Sequence, residues 1–289
     1  MSVLSLARWS LYAELMRLHR PIGIYLLAWP MLWGLWLAAD GVPSPLILAV
    51  FLLGVVLMRS AGCVINDFAD RHWDRHVRRT ADRPLTSGRV SAREALLLFA
   101  LLCLVAFSLV LLLNPLVIQL SAVGALLAVL YPFTKRWTHA PQLVLGIAFA
   151  WAIPMAFAAV QETVPTAAWW LFGATVTWAV VYDTMYAMAD REDDLKIGIR
   201  STAIWFGRWD RFWIAVFQFA TLAQLWFAGR AFGLSKIFGI GLLLATLLAV
   251  YHQWLIRGRE PNHCFRAFLH NHWLGAIIFA AIWFDLSLP

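Results

Sequence analysis

Charge is what this 289-residue sequence has least of: Asp, Glu, Lys and Arg make up 13% of it, against roughly 25% in an ordinary soluble domain. With 62% hydrophobic residues, too little polar surface remains to cover a water-soluble globule, so that class is excluded. A single-anchor protein is excluded too, because no long polar stretch is left to form an external domain. Cysteine is nearly absent. Cys63, Cys103 and Cys264 show neither a paired pattern nor metal-ligand spacing, so no disulfide framework or thiolate metal centre is expected. The formal net charge of +7 could be read as a nucleic-acid footprint. In a membrane chain it has a simpler origin, because basic residues accumulate in loops kept on the cytoplasmic side. No nucleic-acid partner is needed.

What is present is apolar runs. Charge-free windows of about 18 residues or more mark candidate membrane spans, since a charge at the bilayer centre costs roughly 2.5–3.5 kcal/mol. The longest window, 95–134, is too long for one helix, and Asn114-Pro115 near its middle is a turn signal. Divided there, the sequence predicts an all-α, polytopic chain of about nine transmembrane helices, near 20–39, 45–65, 93–113, 115–134, 140–160, 166–187, 211–229, 236–256 and 270–287. The whole of 1–289 reads as one integral-membrane domain. Residues 1–19 alternate Leu11, Leu15 and Leu18 with Arg8, Glu14 and Arg17, as in an amphipathic helix lying at the interface. Trp29, Trp33 and Trp36 on the first span suit an interfacial aromatic belt. With the N-terminus inside, every Lys and Arg except Arg230 and Lys236 falls on one side, which places the N-terminus in the cytoplasm and the C-terminus outside. With no long transit segment in front of the first span, a bacterial inner membrane is expected.

The few acidic residues are concentrated. One group, Asn66, Asp70 and Asp74, lies at the cytoplasmic end of the second span; the other, Tyr186, Asp190 and Asp194, with Asp183 two turns before Asp190, lies at that of the sixth. Four-residue spacing puts each triplet on one helix face, with neighbours about 6 Å apart along the axis. Like charges at this spacing repel, and a lone acidic run is usually a solvated loop. Two such runs at matching depth call for a cation. Hard oxygen donors without Cys or paired His favour Mg²⁺ or Ca²⁺ over zinc. Four carboxylates with a diphosphate carry about −7, which two Mg²⁺ ions lower to about −3. The nearby Arg59, Arg71, Lys135 and Arg136, with Arg20 entering from the first span, can neutralise the remainder.

The run Asn66-Asp67-x-x-Asp70-Arg71-x-x-Asp74-x-x-Val77-x-Arg79-Thr80-x-x-Arg83-Pro84-x-x-x-Gly88 closely resembles the first motif of the membrane-bound UbiA prenyltransferases. Tyr182-Asp183-Thr184-x-Tyr186-Ala187-x-x-Asp190-Arg191-Glu192-Asp193-Asp194, followed by Lys196-Ile197-Gly198-Ile199-x-Ser201-Thr202, is similar to the second, and Tyr131-Pro132-Phe133-x-Lys135-Arg136 also fits. Trp73 is bulkier than the family pattern at its position. The form of the second motif is most like the branch that acts on 4-hydroxybenzoate in ubiquinone biosynthesis. The resemblance implies helices enclosing a central cavity, and transfer of a polyprenyl group from its diphosphate to the ring carbon ortho to the acceptor's hydroxyl. It implies that Asn66, Asp70, Asp190 and Asp194 bind Mg²⁺–diphosphate with Asp74 assisting, facing the cytoplasm. Arg20, Arg59, Arg71, Lys135 and Arg136 would contact diphosphate or the acceptor carboxylate. Asp183 or Asp190 would activate the phenol, and Tyr131 and Tyr186 would either steady the allylic cation or serve as packing. The alternatives are a relative using naphthoate, homogentisate or haem, and a transporter. Against a transporter, the charges gather at one membrane face.

Overall fold

The computed structural model describes residues 6–76 and 80–288. Val77 and Arg79 of the first motif, and the first five residues of the expected amphipathic segment, lie outside the described residues. The described chain is helical throughout: α1 Leu6–Leu15, α2 Ile22–Ala39, α3 Pro45–Asp70, α4 Ala92–Val110, α5 Pro115–Thr134, α6 Pro141–Ala150, α7 Ala152–Gln161, α8 Ala168–Ile197, α9 Thr202–Phe206, α10 Asp210–Ala231, α11 Lys236–Leu255 and α12 Pro261–Ser287. Eight helical segments among the described residues are long and apolar enough to cross a membrane. This is an all-α, polytopic membrane protein. The helix α8 falls outside the eight because its tryptophans, threonines and Asp183 lower its hydropathy, not because it is short.

Local chemistry sets the boundaries. Ser44 and Asn114 cap α3 and α5 through their side chains, each followed by a proline in the first turn, where a missing N–H costs nothing. Ser91 and Glu94 form a reciprocal capping box at the start of α4. The span expected at 140–160 is broken at Trp151 into α6 and α7. Pro154 explains the break, because it has no N–H to give the carbonyl of Ala150 and its ring crowds that carbonyl. Both acid-bearing helices outrun their apolar segments. α3 continues to Asp70 and α8 to Ile197, so Asp70, Asp190 and Asp194 are carried on rigid helix. Asp74 is not on α3: the helix ends at Asp70, and Asp74 opens a separate short 3₁₀ turn.

α2, α7, α8 and α12 pack together around Trp33, which stacks on Trp178 at 5.5 Å between ring centroids. The indole N–H of Trp33 donates to Gly275 O at 3.0 Å, and that of Trp178 to Asn271 Oδ1 at 3.1 Å. Trp33 and Trp36 are therefore core residues, correcting their assignment to an interfacial belt; the buried N–H of Trp33 is satisfied inside the bundle. Gly275 permits this packing, since a Cβ there would fall 2.5 Å from Trp29. The helix α1 does not stand apart: Tyr12 and Leu15 are buried with Ala61, Val64 and Leu102 of α3 and α4.

Candidate active site

The ends of α3 and α8 meet over one cavity of about 660 Å³. Asn66, Asp70, Asp74, Asp183, Tyr186, Asp190 and Asp194 all line it, as do Arg20, Arg59, Tyr131 and Lys135. Two helices that are distant in sequence thus bring both acid groups to the same space, with a basic residue from α5's end and another from within α3. Away from this polar end the lining turns apolar, through Leu26, Val55, Val110 and Val117. Arg71 and Arg136 are not among the lining residues. Arg71 donates to Phe68 O at 2.6 Å, and its guanidinium lies 4.3 Å over the Phe68 ring. Arg136 donates to Ala69 O at 2.9 Å and lies 5.0 Å over Trp73. The bulky Trp73 has a packing role of its own, as a face for this cation.

Asp67, Asp70 and Asp74 each already meet a cation. Lys135 Nζ is bonded to Asp70 Oδ2, which also accepts from Asn66 Nδ2 at 3.1 Å. Arg83 Nη1 reaches Asp74 Oδ2 at 2.7 Å and Asp67 Oδ1 at 2.9 Å. Arg17 Nη2 donates to the same Asp67 oxygen at 2.5 Å. Asp190 and Asp194 are engaged as well. Arg17 and Arg83 come from segments 50 and 16 residues away from Asp67. That buried carboxylate therefore ties both the turn before α2 and the loop after α3 to the acid-bearing helix end. Burial is the largest influence on the Arg17 guanidinium and pushes it down, but Asp67, Asp74 and other neighbours together leave Arg17 above its ordinary value. Burial pushes the Asp74 carboxyl up, with Arg83 opposing it.

Arg17, Asp67, Arg83 and Gln142 line the cavity and were not selected from the sequence. Arg83 and Asp67 lie inside the quoted motif, so the signal was available for them. Nothing local marks Arg17, which turns out of α1 with a left-handed φ of 56°. Arg59 has a site prepared for it across the bundle: a Cβ on Gly23 would fall 1.9 Å from its Nε. Tyr186 rests on Phe268 at 4.9 Å between ring centroids, so it both lines the cavity and packs against α12.

Among the described residues, no three His, Cys, Asp or Glu side chains are drawn together closely enough to hold a metal ion. Lys135 and Arg83 are bonded to Asp70 and Asp74 instead. The donor set still suits a hard divalent cation, being all oxygen. Asp70 Oδ1 is buried with no hydrogen-bond partner, an acceptor that normally finds one.

The profile of the UbiA prenyltransferase family matches residues 27–275. The chain belongs to that family. It is 60% identical over 274 residues to the 4-hydroxybenzoate octaprenyltransferase of Saccharophagus degradans, covering 95% of this chain and 92% of that one. It is 61% identical over 272 residues to the protein of the same name from Nitrosococcus oceani, covering 94% and 95%. Among solved structures, a UbiA homologue from Aeropyrum pernix superposes with a TM-score of 0.79 at 27% identity, over 90% of this chain and 97% of that one. A homologue from Archaeoglobus fulgidus, solved with GPP and Mg²⁺, shares the fold at a TM-score of 0.73 and 18% identity, over 96% and 100%. Both acid groups that line the cavity fall within the matched residues.

Proposed function

We propose that this protein is a Mg²⁺-dependent aromatic polyprenyltransferase. It moves the polyprenyl group of a polyprenyl diphosphate to the carbon of 4-hydroxybenzoate ortho to the hydroxyl, giving 3-polyprenyl-4-hydroxybenzoate and diphosphate for ubiquinone biosynthesis. The observation that carries this reading is the shape of the cavity, with acids from α3 and α8 at one end and an apolar lining beyond. A ligand with an anionic head and a long hydrocarbon tail fits that division. The named relatives at about 60% identity support the acceptor.

Asn66, Asp70, Asp190 and Asp194 would hold the metal, with Asp74 assisting through the loop that Arg83 anchors. Bound there, Mg²⁺ supplies positive charge where the departing diphosphate gains negative charge. Lys135, already beside Asp70, would turn to the diphosphate. Arg59 lies on α3 nearly two turns before Asn66, where it would take the acceptor's carboxylate, with Arg20 at the mouth. As the allylic C–O bond breaks, its electron pair leaves with diphosphate. The ring carbon bonds to the allylic carbon, and the displaced ring proton passes to a carboxylate, Asp183 or Asp190. Tyr131 and Tyr186 present ring faces to the cation, and the helix walls keep water away from it. The tail belongs in the apolar end, since each CH₂ left in water would cost about 0.8 kcal/mol. We place the site and N-terminus on the cytoplasmic side of a bacterial inner membrane and the C-terminus outside, on the distribution of Lys and Arg. α1 then lies at the inner interface.

An acceptor panel tests the reading. Purified protein with Mg²⁺ and octaprenyl diphosphate is offered 4-hydroxybenzoate, a dihydroxynaphthoate, homogentisate and haem, with products weighed by mass spectrometry. Octaprenyl-4-hydroxybenzoate is expected as the main product. A product formed only from another acceptor would overturn the assignment.

A further inference from the structure

Along α3 the cavity wall is made by two adjacent four-residue rows, Phe51, Val55, Arg59 and Asp67 in one and Val50, Gly54, Met58, Gly62, Asn66 and Asp70 in the other. Such i±4 rows are the ridges of a helix surface and wind gently about it. Two of the six in the second row are glycine, a poor helix former, and they are the two glycines of α3. Neither glycine has a positive φ, so the backbone does not require them. A Cβ at either would meet nothing within 4 Å, so no neighbouring helix requires them. Gly23, Gly146 and Gly275 differ, each having a neighbour that a Cβ would strike at 2.8 Å or less. What Gly54 and Gly62 preserve is the empty space in front of them.

Their depth gives that space a meaning. At about 1.5 Å rise per residue, Gly62 lies about 12 Å and Gly54 about 24 Å from Asp70 along the helix axis. The cavity continues at the outer level, where Val110 at the end of α4 and Val117 at the start of α5 also line it. With carbon–carbon bonds of about 1.5 Å, each four-bond isoprene repeat spans roughly 5 Å. A two-unit tail starting at the acids therefore ends near Gly62, whereas an eight-unit tail must pass Gly54.

We propose that Gly54 and Gly62 determine which tail lengths the enzyme accepts, by keeping the α3 wall of the cavity open at two successive depths. The proposal rests on the polyprenyl-transfer reading above. Side chains added at these positions narrow the path for long tails before they affect short ones.

The test uses the full-length protein with Mg²⁺ and 4-hydroxybenzoate, supplied with geranyl and octaprenyl diphosphate in competition. Wild type is compared with Gly54→Leu, Gly62→Leu and the milder Gly54→Ala. The octaprenyl-to-geranyl product ratio should fall at least about tenfold in Gly54→Leu, a pocket-size effect of the expected order. It should fall in Gly62→Leu as well, while Gly54→Ala changes it least. A ratio equal to wild type in both Leu variants would overturn the proposal and leave prenyl transfer intact. Equal loss of both products in Gly54→Ala and Gly54→Leu would overturn it too. A wild-type protein that transfers neither tail would instead remove the functional reading beneath it.

Discussion

Two buried aspartates organise the charged face of the molecule in the same manner, each gripped by two arginines. Asp67 holds Arg17 and Arg83. Asp210, fully buried, holds Arg191 and Arg259 and also accepts from the N–H of Arg211 at 2.6 Å. In both clasps one arginine sits at a left-handed turn between helices, Arg17 and Arg259 each with φ of 56°. Such φ values are uncommon outside glycine, and charge-assisted bonding to the aspartate holds each in place. Removing one partner of a buried ion pair leaves the other charge uncompensated, at about 3–5 kcal/mol. Arg191 and Arg259 are partly exposed to solvent, so Asp210→Ala is expected to lower stability by less, about 1–3 kcal/mol, in detergent-solubilised protein, measured by thermal unfolding. Because Asp210 does not line the cavity, the surviving folded fraction should retain its substrate KM. Gly23 acts on function from the opposite direction. Its missing side chain makes room for Arg59, so Gly23→Val should displace that guanidinium. The expected result is a KM for 4-hydroxybenzoate raised about tenfold or more, the effect of losing one charged hydrogen bond, with the KM for the polyprenyl diphosphate changed far less. An unaltered acceptor KM would remove Arg59 from carboxylate binding.

Helices hold these residues in register, and one close approach matters most. Gly146 on α6 lies against α8, where a Cβ would fall 2.8 Å from Val176 O and 3.1 Å from Ala179. α8 carries Asp183, Asp190 and Asp194, so whatever pushes α6 away shifts half of the site. Gly146→Val should cost about 1–3 kcal/mol as an overpacked contact and reduce turnover at the same time. Stability and initial rate measured on one preparation would check both. The helix pattern was readable in the sequence because charge-free windows and capping residues such as Asn114-Pro115 are local signals. Helix ends beyond the apolar windows were less readable. α3 and α8 persist to Asp70 and Ile197 although hydropathy has already fallen there, because helix formation does not stop where apolarity does. Asp74 went the other way, since four-residue spacing cannot show that the helix has ended at Asp70. The break at Trp151 was also present in the sequence, as Pro154.

At the level of the whole molecule, the scarcity of charge has a structural counterpart: the acids of both motifs converge on the polar end of one cavity. The two motifs were legible because their residues are close together in sequence and their spacing is helical. The clasp at Asp67 was not, because nothing local specifies which of many arginines will cross from α1's end or from the loop after α3. For the same reason the sequence could not separate Arg59 and Lys135, which line the cavity, from Arg71 and Arg136, which turn to backbone carbonyls and aromatic faces. Trp33 and Trp36 show a related limit: a tryptophan in a membrane helix suits an interface or a core equally well until a partner such as Gly275 is known.

The central claim is that α3 and α8 together form one metal-dependent site for the diphosphate. The most direct test is the initial rate of octaprenyl-4-hydroxybenzoate formation against free Mg²⁺, for wild type, Asp70→Ala and Asp190→Ala. Wild type should be inactive in EDTA and recover on adding Mg²⁺, while each variant, though folded and membrane-inserted, loses at least about a hundredfold in rate. Full wild-type turnover in EDTA, or full activity in either variant, would contradict it.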